Sequence, residues 1–427
     1  MSPIKDHPLR YQLANELHAR PFPSVEAPSF AAYLAIKPEQ NAAQRDREAD
    51  RVHLVKLLDR FGAAHPQPGA THFFGEIGKY HLKWESHTEF VTYTIFGDGI
   101  AGRPFDPAAF EVFPEDWLDE APGVRVTSAL VRIERSSDEQ KILENVQEWF
   151  VPESVAVAQV LDKGAVIAAD FRIDTAGHMR FAIFASEHTG ARRIGRIVQR
   201  LCEIETYKAM SMLGLTRARR LSKELGEIDA QLTQLVGGMT GEMASPDETL
   251  HALLKISAEL ENLSAQSSFR FGATGAYEAI VNQRIEVLRE ERYCSKQTFT
   301  EFMMRRYDPA MRTVKSSERQ LSNMAERAIR AGDLLRTQVD VSRSAQNQAL
   351  LESMDRRADI QLRLQKTVEG LSVVAISYYA VNLATYLVFP LAEALGISKG
   401  STSAGLTIPV VLVVWLLIRR VRSAMEH

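Results

Sequence analysis

The sequence predicts an α+β cytosolic domain, then a long helical bundle and stalk, then a C-terminal two-helix transmembrane hairpin, with boundaries at 1–188, 189–367 and 368–427. Three observations lead there. β-Rich runs stop at MRFAIFA (179–185), and the chain from there to residue 367 carries only helical starts and stops. Leu371–Phe389, LSVVAISYYAVNLATYLVF, is 19 residues without a charge, close to the roughly 20 apolar residues a helix needs to cross a hydrocarbon core. A second apolar run, Leu406–Ile418, extends back to Ser401 without meeting a charge. Basic residues crowd the outer ends of the pair: Arg356, Arg357, Arg363 and Lys366 before it, and Arg419, Arg420 and Arg422 after it, with Lys399 alone between. The positive-inside bias then places both termini in the cytoplasm and the connection, residues 390–405, outside a cell inner (plasma) membrane.

Composition sets the bulk apart from that hairpin. Of 427 residues, 25% are charged and 45% hydrophobic, the make-up of an ordinary globular protein. A net charge of -3 gives no argument for a nucleic-acid partner. Cys202 and Cys294 stand far apart and outside any CxxC pattern, so neither a disulfide framework nor a cysteine metal site is expected. The opening MSPIKDHPLR has no apolar core behind a basic end, so no secretory signal is expected.

In chain order, Leu9, Leu13 and Leu17 repeat at helical spacing before Pro21. SFAAYLAI (29–36) reads as a strand. A helix over 41–61 follows, its apolar face built from Val52, Leu54, Val55, Leu57 and Leu58. The aromatic and β-branched stretch 72–96 suggests two or three antiparallel strands. Residues 97–122 read as loop, with a helical turn around Pro114–Leu118. VRVTSALVRIE (124–134) returns to strand. Ser136-x-x-Glu139 has the form of a capping box opening a helix that runs to Phe150. Three further strands are expected within 155–185.

From Thr189 the apolar positions Ile194, Ile197, Val198, Leu201 and Ile204 form a helical stripe that continues to Leu235. Ser245-Pro246-x-Glu248 marks another helix start, and helices are expected over 246–265 and 274–296. Asp308-Pro309 opens the last one, with no further proline until Pro390. Its near-heptad seam, Val314, Leu321, Met324, Ala328, Ala331 and Leu335, breaks at Gln338, Ser342 and Glu352. That coiled-coil-like rod either packs on the preceding helices or lines something wet, and both favour a homo-oligomer or a bundle.

NELHARPFP (15–23), KWESHTEFVTY (83–93), RIGRIVQRLCEIETYKAMSMLGL (193–215) and KTVEGLSVVAISYY (366–379) resemble a bacterial family of uncharacterised membrane-anchored proteins, over nearly the whole chain. The resemblance implies no activity. The plan of a cytosolic domain, a long helix and a short basic-ended hairpin is also similar to CorA-type magnesium channels. That family carries Tyr-Gly-Met-Asn at the outer end of its first span, and Tyr379-Ala380-Val381-Asn382 departs from it at both middle positions.

The side chains that bear on function form three groups. Asn382, with Ser372, Ala375, Tyr379 and Thr385, makes one face of the first span, as a helix contact or as a pore lining. Glu85, His87 and Glu89 alternate; on one unbroken strand they share a face able to hold a divalent cation, and a turn at Ser86–His87 would separate them. Arg192, Arg193, Arg196 and Arg200 crowd a helix start, either around an anion or as a solvated face pairing with Glu203 and Glu205. GDGIAGRP (97–104) has Gly-x-Gly-x-x-Gly spacing, but Pro104 denies it the helix a dinucleotide site needs. His18 and Arg20 read as caps of a helix end. No catalytic constellation is visible, so no enzyme is expected. The expected partners are the lipid bilayer and further copies of the chain, the protein partner being unreadable, and no cofactor is expected beyond a divalent cation. Two functions follow: an oligomeric membrane tether or scaffold, and a divalent-cation channel. A module sensing anions or nucleotides at Arg192–Arg200 is a third.

Overall fold

The structure, a computed structural model, describes residues 4–11, 13–14, 22–238, 246–395 and 398–425. Leu17, His18, Arg20, most of NELHARPFP and the cap at Ser245 lie outside the described residues. The chain forms two compact units, one ending at Gly332 and the other starting at Asp333.

The first unit is built on a nine-stranded sheet. Its strands are β1 (Ser29–Lys37), β2 (His72–Ile77), β3 (Tyr80–Ser86), β4 (Val91–Asp98), β5 (Val124–Arg135), β6 (Ala156–Val160), β7 (Ala165–Ala169), β8 (Met179–Ala185) and β9 (Glu291–Arg292). They run in the order β2-β3-β4-β1-β5-β8-β7-β6-β9. All pairs are antiparallel except β5–β8. A parallel pair needs a crossover, which α3 (Glu139–Trp149) and the β6–β7 hairpin provide. β1 lies between β4 and β5 and is covered on both faces, which is why SFAAYLAI is a continuous apolar run and not an alternating one.

One face of the sheet presents Leu34, Trp84, Tyr93, Ile95 and Phe184 to α1 (Arg47–Arg60), α2 (Glu115–Asp119) and α3, which contribute Leu54, Leu57, Leu58, Trp117 and Ile142. The other face receives α4 (Ala191–Gly238), along which α5 (Pro246–Glu286) packs. α6 (Phe299–Arg306) follows, and the long α7 (Asp308–Ala394) begins in this unit with Val314, Leu321, Met324, Ala328 and Ala331 buried.

Several expectations are corrected. The helix over 41–61 is α1 preceded by a 3-10 turn at Ala42–Gln44, and Val52 is exposed while Asp50 and His53 are buried. The cap of α3 is Asp138, which accepts from the Gln140 and Lys141 backbone N–H groups, and not Ser136. The two helices expected between 246 and 296 are one: Gly272 and Gly275 sit inside α5, where each costs only about 1 kcal/mol and buried Phe271, Val281 and Ile285 offset it. β9 breaks the all-helical reading of the chain after 188. Past α5 the chain returns to the sheet edge, Glu291 and Arg292 pair with β6, and Val157 N–H donates to Gln297 O at 2.8 Å. α4 packs on the sheet with α5 along it, β9 extends the sheet, and the compact unit that contains the sheet runs to Gly332.

The second unit holds the rest of α7 and α8 (Lys399–Met425). The connection expected over 390–405 is far shorter, since helix runs through Pro390 to Ala394 and resumes at Lys399. Lys399 Nζ lies over the Tyr386 and Phe389 rings at 5.0 and 5.9 Å, a cation–π seat at the turn.

Candidate functional site

β3 and β4 set Lys83, Glu85, Thr92 and Thr94 on the face toward α4, where they meet Gln199, Cys202, Glu203 and Thr206 around a cavity of about 20 Å³. That is room for a single water. Lys83 is 5% exposed; its Nζ donates to Gln199 Oε1 at 2.8 Å and lies 3.0 Å from Glu85 Oε2. Gln199 Nε2 in turn donates to Glu203 Oε1 at 2.7 Å, and Arg284 of α5 closes on Glu203. Nearby, Lys208 pairs with Glu205 at 2.7 Å, which also accepts from Thr127. Tyr33 OH meets Thr206 Oγ1. Burial pushes the Tyr33 and Cys202 pKa values well up.

The β3–β4 turn is gripped from two sides. His87 N–H donates to Phe90 O at 2.8 Å, closing the turn. Arg45 donates to His87 O at 2.7 Å, Ser86 Oγ at 2.9 Å and Phe90 O at 3.2 Å, and pairs with buried Asp50 at 2.7 Å. From the other side Arg270 of α5 pairs with Glu89 at 2.5 Å, and Tyr277 OH donates to Glu89 at 2.8 Å. The turn therefore separates Glu85, His87 and Glu89. Glu85 faces Lys83, Glu89 faces Arg270, and the His87 ring stacks on Phe90 at 4.4 Å. Among the described residues no three His, Cys, Asp or Glu side chains are grouped to hold a metal.

Of the arginines at the start of α4, Arg192 and Arg193 are exposed and Arg196 half-buried. Arg200 is taken up: it donates to Val287 O at 3.0 Å, capping the end of α5. Burial and then the neighbouring Arg196 hold its pKa down.

GDGIAGRP does not open a helix; a 3-10 turn at Pro107–Phe110 follows it. Its Asp98, Gly99 and Arg103 instead line a cavity of about 290 Å³ with Phe105, Leu130 and Arg132. Only the glycine-rich loop hinted at that cavity, because the β5 residues flooring it come from 30 positions downstream. Arg132 is engaged there, pairing with Glu134 at 2.6 Å and lying 5.3 Å from the Trp149 ring centre.

In the second unit, Ser372 and Ala375 are exposed, Tyr379 is 73% exposed, Asn382 half-buried and Thr385 buried. The buried positions of the pair are Ser377, Thr385 and Ala392 on α7 and Thr402 and Val414 on α8. Of the five residues of the expected face, Thr385 is buried and Asn382 half-buried within the hairpin, and the other three are exposed. Asn382 stands twelve residues before the end of α7, so the Tyr379–Asn382 segment is mid-helix and not at an outer end. Asn382 lines a cleft of about 430 Å³ with Ser377, Tyr378, Ser403 and Thr407.

Two of the stretches that carry the family resemblance meet in the first unit, and KTVEGLSVVAISYY lies in the second. KWESHTEFVTY forms the β3–β4 hairpin, RIGRIVQRLCEIETYK the start of α4 that lies on it, and Pro23 O packs against Gly195. No curated protein matches the sequence, and the expected likeness to CorA-type channels is not supported. The family described as protein of unknown function (DUF3422) matches residues 5–425, and the chain belongs to that family.

Proposed function

We propose that the protein is a non-enzymatic membrane tether, in which the C-terminal hairpin anchors the sheet-and-helix unit to the inner (plasma) membrane, with both termini cytoplasmic. One observation carries the reading. The two apolar helices, within Asp308–Ala394 and Lys399–Val421, have only 11% of their most apolar stretches buried. The core helix of a soluble protein is mostly buried, and bare side chains such as Leu371, Val374, Leu387 and Leu416 form a patch far beyond what a soluble surface tolerates. A bilayer supplies the missing cover, and the Arg/Lys asymmetry supplies the orientation.

The test is carbonate extraction of membranes with cysteine labelling. The protein is expected to stay in the pellet, Lys399→Cys to react with an impermeant maleimide in intact cells, and Met425→Cys to react only after permeabilisation. Release by carbonate, or labelling of position 425 from outside, overturns the proposal. A second reading, passage of a divalent cation, is favoured by the gathering of Ser377, Asn382, Ser403 and Thr407 along one cleft of the apolar helices. Reconstituted vesicles loaded with a magnesium-sensitive dye decide it: no influx above protein-free vesicles removes that reading.

A further inference from the structure

We propose that the cleft between the two apolar helices seats a second copy of this chain, so that two hairpins make a four-helix bundle in the bilayer. This rests on the membrane-anchored reading above. In hydrocarbon a polar group is satisfied inside the protein where it can be, and four Ser and Thr hydroxyls of the hairpin bond to their own helix. Ser372, Thr385, Thr402 and Thr407 each donate to the carbonyl four residues back, at 2.8, 2.8, 3.1 and 2.7 Å. Ser377 and Asn382 break the pattern. Ser377 is 6% exposed and its Oγ has no hydrogen-bond partner among the described residues. The Asn382 carboxamide makes no hydrogen bond among them either.

Both line the same cleft of about 430 Å³, closed on the far side by Ser403 and Thr407. The cleft continues as a second one of about 350 Å³ that shares Val373, Thr407 and Val411 and reaches Trp415. A lipid tail could fill this groove but could not bond to a carboxamide. A cation would find no carboxylate in it, since Glu393 is the one acid between Leu371 and Ile418. A second hairpin meets both needs. A carboxamide is at once donor and acceptor, so across a two-fold axis Asn382 of one copy can bond to its counterpart, an arrangement that is self-complementary by symmetry. Small and hydroxylated residues at the groove let the backbones approach.

The test uses the full-length protein in native membranes and in lipid vesicles. Val374→Cys, which lines the cleft and is 68% exposed, should give a covalent dimer on mild oxidation. Tyr379→Cys, 73% exposed but absent from the cleft lining, and the wild-type chain should not. Asn382→Leu should weaken dimerisation in vesicles, read by energy transfer between labelled copies, about tenfold. Asn382→Gln should restore it. Cross-linking at 379 but not 374, a ladder beyond the dimer, or a change under twofold for Asn382→Leu overturns the proposal. A carbonate wash of the same membranes separates the two ideas: protein that stays in the pellet without cross-linking refutes the dimer alone, whereas protein released by carbonate refutes the anchor.

Discussion

Replacing Arg270 with methionine should cost the first unit about 3 kcal/mol of unfolding free energy. The Glu89 side chain is 1% exposed, and among the described residues its hydrogen bonds come from Arg270 and from the Tyr277 hydroxyl. Methionine keeps the aliphatic bulk of arginine but leaves a buried carboxylate with one hydrogen bond, and removing one partner of a buried ion pair costs about 3–5 kcal/mol. The surviving Tyr277 bond places the estimate at the low end. At about 2 °C per kcal/mol for a unit of this size, the melting temperature falls by roughly 6 °C. Tryptophan fluorescence during urea unfolding reads this directly, because Trp84, Trp117 and Trp149 are all buried in the first unit and Trp415→Phe silences the hairpin. The double variant Arg270→Met, Glu89→Leu should recover at least half the loss, since a well-packed apolar pair can match a buried ionic one. A loss under 1 kcal/mol for Arg270→Met, or no recovery in the double variant, would show that the ion pair does not hold the turn.

Two further predictions concern the same unit. Gly195→Ala should cost about 1–3 kcal/mol, because its methyl would collide with the Pro23 carbonyl oxygen, a backbone atom that cannot rotate away; Gly226→Ala, in the same helix with nothing within 4 Å, should gain up to about 1 kcal/mol. Equal urea midpoints for the two variants would contradict this. Burial holds the His53 imidazole pKa below its ordinary 6.5, against the raising effect of its hydrogen bond to Trp117 O. The unfolded chain therefore takes up the proton first. The stability is fully present above pH 6.5 and is lost as the pH falls toward the folded-state value, by at most about 1.4 kcal/mol per pH unit. His53→Gln should flatten the urea midpoint against pH between 6.5 and 5, leaving the share of His178, which burial shifts in the same direction. An unchanged slope would count against it.

What the sequence showed and what it hid divide along the range of the interactions involved. β1, β4, β5 and the stripe of α4 were legible because their apolar runs and periods are local, as were the two uncharged spans. For Glu85, His87 and Glu89 the sequence left a shared strand face and a turn at Ser86–His87 both open, because the residues that grip the turn, Arg45 and Arg270, lie 41 or more positions away. The same distance hid β9, a two-residue strand without β propensity that exists only because β6 offers an edge. The covered face of the hairpin was hidden in part for a different reason. Thr385 bonds back to its own helix and is buried, whereas Ser377 is buried without such a bond, a difference that polarity in a sequence does not show.

β9 also orders events during synthesis. Glu89 and Glu203 lack their arginines until Arg270 and Arg284 have left the ribosome, and β6 has an open edge until Arg292 has, so the sheet cannot finish early. Roughly 80 residues separate that point from Leu371, which at about 5–20 residues per second is on the order of 4–16 s of translation. The sheet unit thus has its last strand in hand before the first apolar span emerges, and in the anchored protein proposed above, insertion would act on a chain whose amino-terminal three-quarters can already be folded.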